Sequence, residues 1–156
     1  MISIDVVSDC NLWGKKFKKP DLFFNSLVRA FPKKYWFIKK KVSLTVLLSN
    51  NKSIKRLNKK FRNKNKSTDV LSFPAEKNIN IKKSPHIGDI IISYEFVNKP
   101  KTLGALEFKK KITRIFIHSF LHLLGYDHIK LKDFKEMLIE EEKIFQTIET
   151  KIAKLV

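Results

Sequence analysis

The stretch HSFLHLLGYDH, residues 118–128, constrains this chain most, because it holds three of the four histidines. His118 and His122 are four residues apart, and this spacing places both imidazoles on one face of a helix, one turn apart. Gly125 is suited to the left-handed conformation that ends a helix, so the chain turns back and brings His128 towards the same point. Three imidazoles then converge with a fourth position open, as catalytic zinc sites require.

The helix that carries these histidines is predicted to run from about Leu106 to Leu124 and to be buried at its C-terminal end, where apolar residues occupy nearly all faces. Burying imidazoles among side chains such as Phe116 and Phe120 is costly unless their nitrogens are satisfied, and a metal ion satisfies them. The alternative is a set of ordinary histidines at a helix end. Three imidazoles also accept nickel, copper or iron, so the ion is left open.

The offsets from His118 to the later histidines and Gly125 also match the pattern H-E-x-x-H-x-x-G-x-x-H of zinc peptidases. In those enzymes the residue after the first histidine is a glutamate that acts as general base. Here that residue is Ser119, whose hydroxyl is far too weak a base near neutral pH. A metallopeptidase is therefore the disfavoured hypothesis.

Hydrophobic periodicity predicts four short strands with helices between and after them. The strands are expected at 2–7, 42–49, 69–74 and 88–93, and the helices at 20–31, 50–62, 106–124 and 131–155. Residues 75–85 are expected to form a surface loop. This order of elements indicates an α+β or α/β layered domain, and 156 residues suit a single domain, 1–156.

The last predicted helix has apolar residues at a heptad-like spacing, with one acid among them. The spacing includes Phe134, Met137 or Leu138, Glu141 and Phe145. The pattern predicts a helix that is more exposed than the one carrying the histidines.

The formal net charge is +18, from 33 Lys and Arg against 15 Asp and Glu. Such an excess favours a polyanionic partner, with nucleic acid as the leading candidate. Residues 51–66 alone contain eight Lys or Arg and no acid. A lysine-rich composition from an AT-rich genome is the competing explanation, since only four of the basic residues are arginine. Arg62 stands out because a guanidinium can grip phosphate bidentately.

Nothing in the sequence predicts a membrane or secreted protein. The longest strongly apolar stretch, residues 115–126, is far shorter than the roughly 18 to 20 residues of a membrane span. The first ten residues carry two aspartates and no lysine or arginine, unlike a secretory signal. Cys10 is the only cysteine, which excludes an internal disulfide. We expect a cytoplasmic protein.

The chain resembles the bacterial endoribonuclease family called YbeY, whose hallmark is H-G-x-L-H-L-x-G-Y-D-H. Residues 118–128 depart from it only at Ser119, where the family has glycine. The stretch LNKKFRNKNKSTDVLSFP, residues 57–74, is similar to the family's L-N-x-x-[YF]-R and T-[DN]-V-L-S-F-P blocks, and GDIIIS from Gly88 matches G-D-I-x-I-S. EMLIEEEKI is a weaker match, with Met137 and Glu141 at the family's Met and Glu positions.

The resemblance implies an α+β fold in which a small mixed four-stranded sheet packs with helices, with the metal site at the C-terminal end of a long buried helix. It implies one zinc-like ion held by His118, His122 and His128. It also implies a single-strand-specific endoribonuclease acting in 16S rRNA 3′-end maturation and small-subunit quality control, with the small ribosomal subunit and an assembly GTPase as partners. The family's functionally important arginine falls on Arg62.

Two hypotheses follow beside the disfavoured peptidase. The first is a metal-dependent endoribonuclease in which Arg62 stabilises charge on the scissile phosphate near the metal. The second is an RNA-binding ribosome-assembly factor whose metal is mainly structural. Asp127 is expected to orient a histidine or cap the turn. Asp69 and Asp89 either face the cleft or bond to local backbone, and His86 is expected in a loop.

Overall fold

The computed structural model describes residues 1–75 and 85–155, and it contains a four-stranded sheet with strand order β1-β2-β4-β3. The strands are β1 (Ile2–Ser8), β2 (Val42–Ser49), β3 (Val70–Pro74) and β4 (His86–Ser93). Strands β1, β2 and β4 are mutually parallel, whereas β3 is antiparallel to β4. The predicted small mixed sheet and the α+β class are confirmed. Most of the predicted loop over 75–85 lies outside the described residues.

Helices surround this sheet. They are α1 (Trp13–Lys16), α2 (Pro20–Arg29), α3 (Asn51–Arg62), α4 (Tyr94–Val97), α5 (Ala105–Leu123) and α6 (Leu131–Ile148), with short 3-10 turns at Lys33–Tyr35 and Glu149–Lys154. No described helix combines the length and the apolar composition that a bilayer crossing requires. The four long predicted helices are confirmed, although α2 ends before Phe31 and α6 tightens into a 3-10 turn at its end.

Buried and partly buried residues alternate along β2, and this alternation shows which face of the sheet is buried. Val42, Leu44, Val46 and Leu48 are all buried on one face, and the residues between them point to the other. The large core lies on the first face, where α2 and α5 contribute five of the thirteen phenylalanines together with aliphatic side chains. The second face carries only a small cluster of Ile54, Leu71 and Ile91 beneath α3.

The free edge of β1 is covered by a side chain. The Ile4 backbone N–H donates to Asn25 Oδ1 at 3.0 Å, and Asn25 Nδ2 donates to the Ile4 carbonyl at 2.9 Å. Asn25 thus satisfies both backbone groups of Ile4, so another strand could pair at this residue only by displacing the Asn25 side chain.

The segment 9–19 was not assigned to any predicted element, yet it forms α1 and contributes to the core. Trp13 is buried there and its indole N–H donates to the Ser49 carbonyl at 2.8 Å. A four-residue helix leaves no periodic pattern to detect, so its position depends on the contacts of Trp13. His86 was expected in a loop and instead begins β4, because pairing with β2 extends to Ser43.

Gly88 allows the C-terminal end of α5 to lie directly on β4. Its φ is +146°, and a Cβ there would overlap the Phe73 carbonyl oxygen and approach Leu123 Cδ2 to 2.7 Å. Only glycine fits both the backbone conformation and the space. This contact therefore fixes the distance between α5, the helix that carries His118 and His122, and the sheet.

Glu140 joins α6 to the segment that follows α2. Its Oε2 accepts a hydrogen bond from Lys34 Nζ at 2.6 Å and a second from the Tyr35 hydroxyl. The hydrogen bond from Lys34, followed by that from Tyr35, lowers the pKa of the Glu140 carboxyl below its ordinary value. Burial and the neighbouring carboxylate raise the pKa of Tyr35, so its hydroxyl remains a donor at neutral pH.

We predict that Gly88→Ala lowers the free energy of unfolding by about 3 kcal/mol, because the new methyl group strains the backbone and overlaps Leu123 and Phe73. Urea denaturation of both proteins measures the difference. Gly14→Ala is the control, because a Cβ at Gly14 meets nothing within 4 Å and φ there is not in the left-handed region. Equal effects of the two substitutions would contradict the role given to Gly88.

We predict that Glu140→Gln lowers the free energy of unfolding at pH 7 by about 1–2 kcal/mol. Because the folded-state pKa lies below the unfolded-state value, this contribution is complete above the unfolded-state pKa and is lost as the pH falls through the folded-state pKa. Denaturation curves from pH 7 down to about pH 3 should therefore show the two proteins converging. A difference that stays constant with pH would contradict the prediction, and Glu142→Gln is the exposed control.

Candidate metal centre

A helix-ending turn brings the three histidines together. After α5 the Gly125 N–H donates to the His122 carbonyl at 3.0 Å and the Tyr126 N–H donates to the Leu121 carbonyl at 3.0 Å. Gly125 has φ +98°, so this is a Schellman turn with glycine in the left-handed position. The turn reverses the chain and carries His128 back towards the helix end, as predicted.

The three predicted ligands meet at one point. One nitrogen each from His118, His122 and His128 can be chosen so that all lie within 4.8 Å of one another. The centroid of the His128 ring lies 5.8 Å from that of His118 and 5.0 Å from that of His122. His128 is the exposed member, while the other two are half-buried. The sequence prediction that these residues converge is therefore confirmed.

Hydrogen bonds at Nδ1 determine which nitrogen of each half-buried ring faces this point. His118 Nδ1 lies 2.6 Å from Glu141 Oε1, and His122 Nδ1 lies 2.9 Å from the Tyr126 carbonyl oxygen. Carbonyl and carboxylate oxygens accept, so both Nδ1 atoms carry a proton and Nε2 is the nitrogen of each ring that is left to face the shared point. This is the tautomer that a metal ligand requires.

The contact between these two rings fits a bound cation. His118 Nε2 and His122 Nε2 are 3.1 Å apart. When both rings are neutral and protonated at Nδ1, a cation bound between the two Nε2 atoms would satisfy both lone pairs. Burial lowers the pKa of His122 below its ordinary value, and the neighbouring His118 lowers it further. His122 is therefore a neutral imidazole at pH 7, ready to bind a metal ion.

The centre is open on one side. A cavity of about 60 Å³ lies beside it, lined by His118, His128, Phe134, Met137, Leu138 and Glu141. Structural zinc sites are closed by four protein ligands, whereas catalytic sites keep a position for water or substrate. Among the described residues the cluster contains three candidate ligands, the number of protein ligands in a catalytic zinc site.

Ser119 does not face the centre. Its side chain is fully buried, and its hydroxyl has no hydrogen-bond partner within the described ranges. The position at which zinc peptidases hold their general base is thus an interior residue of α5.

Glu141 is the residue whose contact with the site the sequence analysis missed. It belongs to α6, 23 residues after His118 in the chain, and its carboxylate orients the imidazole of that histidine. The sequence feature that could have indicated this contact is the acidic residue among the apolar, heptad-spaced residues of the last helix. A carboxylate that accepts from Nδ1 holds the ring in place and raises the basicity of Nε2.

The other candidates lie outside the histidine cluster. The Arg62 guanidinium, in the last turn of α3, donates from Nη2 to the Ser72 carbonyl on β3 at 2.8 Å. Asp127 caps the turn, since its Oδ1 accepts from the His128 backbone N–H at 2.7 Å. Asp69 accepts from the Val70 N–H at 2.8 Å. Arg62 remains a predicted catalytic residue.

His86 and Asp89 form a separate pair. His86 Nε2 and Asp89 Oδ1 are 2.9 Å apart on β4, so the fourth histidine is bonded within its own strand. His86 is not a member of the metal-ligand cluster among the described residues.

We predict that Glu141→Gln weakens metal binding about 10- to 100-fold, because the His118 ring loses the carboxylate that orients it. Competition against a chromophoric chelator measures the affinity. Glu142→Gln is the matched control: this neighbouring side chain is half exposed and pairs with Arg114 instead. If both variants bind metal as the wild type does, Glu141 has no part in the site.

Comparisons with known proteins identify the family of this chain. The sequence model of the family described as Endoribonuclease YbeY matches residues 15–149. A protein named Endoribonuclease YbeY from Pelagibacter ubique (strain HTCC1062) is 67% identical over 153 residues, which are 98% of this chain and 100% of that protein. Another with that name, from Borrelia turicatae (strain 91E135), is 35% identical over 150 residues, 90% of this chain and 95% of that protein.

Among solved structures, a solution structure of a Thermotoga maritima protein has 23% identity and a TM-score of 0.47, covering 97% of this chain and 93% of that one. The family resemblance stated from the sequence motifs is confirmed by the family match and by the curated relatives. This chain belongs to the endoribonuclease YbeY family.

Proposed function

We propose that this chain is a metal-dependent endoribonuclease that hydrolyses single-stranded RNA. The observation that carries the proposal is the arrangement of His118, His122 and His128, with the two half-buried rings held through Nδ1 and one side of the cluster open. Membership of a family whose name is endoribonuclease supports RNA as the substrate. The net charge of +18 agrees with a polyanion.

Zinc is the ion we propose for this site. Neutral imidazoles suit it, and three protein ligands with an open position are typical of catalytic zinc. When bound, Zn²⁺ supplies Lewis acidity towards a water molecule or a phosphoryl oxygen. The protein holds the His118 ring through Glu141 and the His122 ring through the Tyr126 carbonyl, so neither ligand has to reorient.

Arg62 is proposed to bind the scissile phosphate. Its guanidinium is held at β3, and α5 packs against that same strand, so Arg62 and the histidines belong to elements in contact. A guanidinium near the scissile phosphate stabilises the charge that develops there in the transition state.

Family membership is the support for the biological setting that we propose. We propose that the substrate is 16S rRNA during 3′-end maturation and small-subunit quality control, that the small ribosomal subunit and an assembly GTPase are partners, and that the protein acts in the cytoplasm, where this substrate is processed. We also propose that residues 1–156 form a single domain. An assembly factor with a purely structural metal is the less favoured function, because the open side at His128 is not a feature of a closed structural site.

The test combines elemental analysis with cleavage of single-stranded RNA by the reconstituted protein. Wild type should bind close to one zinc ion per chain, and the variants His118→Ala, His122→Ala and His128→Ala should lose both the metal and the cleavage. Arg62→Ala should keep the metal and cleave about 100-fold more slowly, because it loses one charge-stabilising group.

His86→Ala is the matched control, since it removes the fourth histidine without touching the cluster, and it should keep both metal and activity. A wild-type protein that remains free of metal after reconstitution would remove the proposed centre. Cleavage that persists equally in all three ligand variants would indicate a contaminating nuclease. Arg62→Ala with normal cleavage and normal RNA binding would refute the role of that residue.

A further inference from the structure

The second face of the sheet has an open groove beside α3. It encloses about 550 Å³ between α3 and the strands, and we call it the α3 groove; it is lined by Val7, Thr45, Leu47, Leu57, Phe61, Phe73, Asp89 and Ile91. Helix α3 covers only the part of this face above Ile54, Leu71 and Ile91. The remaining apolar side chains of the face therefore reach solvent.

Two aromatic rings lie at the α3 side of this groove. Phe61 is 58% exposed, and its ring contacts that of Phe73 edge to face with centroids 5.5 Å apart. Ile54 of helix α3 is buried against the sheet, whereas Phe61 of the same helix is mostly exposed and contributes little to its packing. An exposed aromatic ring in a concave surface offers a face on which a planar ligand can stack.

A cation accompanies each of these rings. Lys60 Nζ lies 5.2 Å from the centroid of the Phe61 ring, and Arg62 Cζ lies 5.7 Å from that of Phe73. None of the eight basic side chains in 51–66 forms an ion pair with an acid in the part of the chain that the structure describes. Among the described residues, the one acid that lines the groove is Asp89, whose Oδ1 lies 2.9 Å from His86 Nε2. The cations of α3 outnumber this acid, so the rim carries a net positive charge.

We propose that the α3 groove binds the bases of single-stranded RNA, which stack on Phe61 and Phe73 while Lys60 and neighbouring cations of α3 hold the phosphates. Alternation of aromatic rings with cations is the arrangement by which proteins bind single strands. This inference rests on the proposed function, because it assigns to the same RNA substrate a binding surface outside the metal centre.

Charge decides between RNA and other occupants of the groove. A second copy of this chain would bring the same basic rim into contact with itself, and a net charge of +18 opposes that association. Duplex RNA keeps its bases stacked on one another, so its bases cannot use the rings. A single strand supplies both the unstacked planar bases and the phosphates.

The α3 groove and the histidine cluster share one neighbouring element, strand β3. Arg62 contacts the Phe73 ring on the groove side and the Ser72 carbonyl on β3, and α5 packs against this strand. RNA held in the groove thus has its backbone beside the arginine that is proposed to bind the scissile phosphate. The groove would position the strand, and the metal centre would cleave it.

The test is fluorescence anisotropy of a labelled single-stranded RNA with the full-length, metal-loaded protein, with RNA integrity checked on a gel after each titration. Phe61→Ala should weaken binding about tenfold or more, and Phe61→Trp should restore it, because an aromatic face is what the base needs. Leu22→Ala is the control, since Leu22 is also an exposed apolar side chain, 53% accessible, but lies on α2.

The salt dependence separates stacking from phosphate contacts. Phe61→Ala should leave the slope of log affinity against log salt unchanged, whereas Lys60→Ala should reduce it by about 0.7. An unchanged affinity for Phe61→Ala, or an equal loss for Leu22→Ala, would overturn the proposal. A larger effect of Phe61→Ala on duplex RNA, or a change in oligomer size by light scattering with RNA affinity intact, would overturn it as well.

Failure of this inference is distinguishable from failure of the proposed function. If wild type cleaves RNA in a metal-dependent way while Phe61→Ala binds normally, only the groove is wrong. If wild type binds RNA through Phe61 but shows no metal-dependent cleavage, the groove stands and the proposed nuclease activity fails.

Discussion

The close contact between α5 and β4 is the interaction on which the rest of this structure depends. Leu123, the last residue of α5, lies where a side chain on Gly88 would have to be, so helix and strand meet without an intervening layer. The phenylalanines of α2 and α5 fill the core on the same side of the sheet, and dense packing of this kind transmits small shifts. The end of α5 is thus a rigid platform, and the metal centre is built on it.

Rigidity at this platform matters because the ligands come from one short segment. His118 and His122 are placed by the helix and His128 by the turn at Gly125, so their mutual geometry is largely local. What the rest of the fold adds is orientation. Glu141 reaches across from α6 to fix the tautomer of His118, and this contact ties the last helix to the site.

The two faces of the sheet differ in how far helices cover them. The first is closed by α2 and α5 and holds nearly all the buried apolar area. The second face is only partly covered, by helix α3, whose cations form no ion pairs within the described chain. Apolar side chains of this face therefore stay exposed, and no packing in the described chain accounts for their exposure. The α3 groove explains this asymmetry as a surface for single-stranded RNA, next to the arginine at the edge of β3.

Local sequence patterns were enough to predict the four strands, the long helices and the convergence of three histidines. Helical periodicity and the glycine stop act over only a few residues, so the pattern of 118–128 determines the ligand geometry almost by itself. The tertiary structure alone decided the strand order, the burial of Trp13 through α1, and the partnership of Glu141 with His118. These depend on contacts between residues far apart in the chain, which form only when helices and sheet pack together, and no local pattern encodes them.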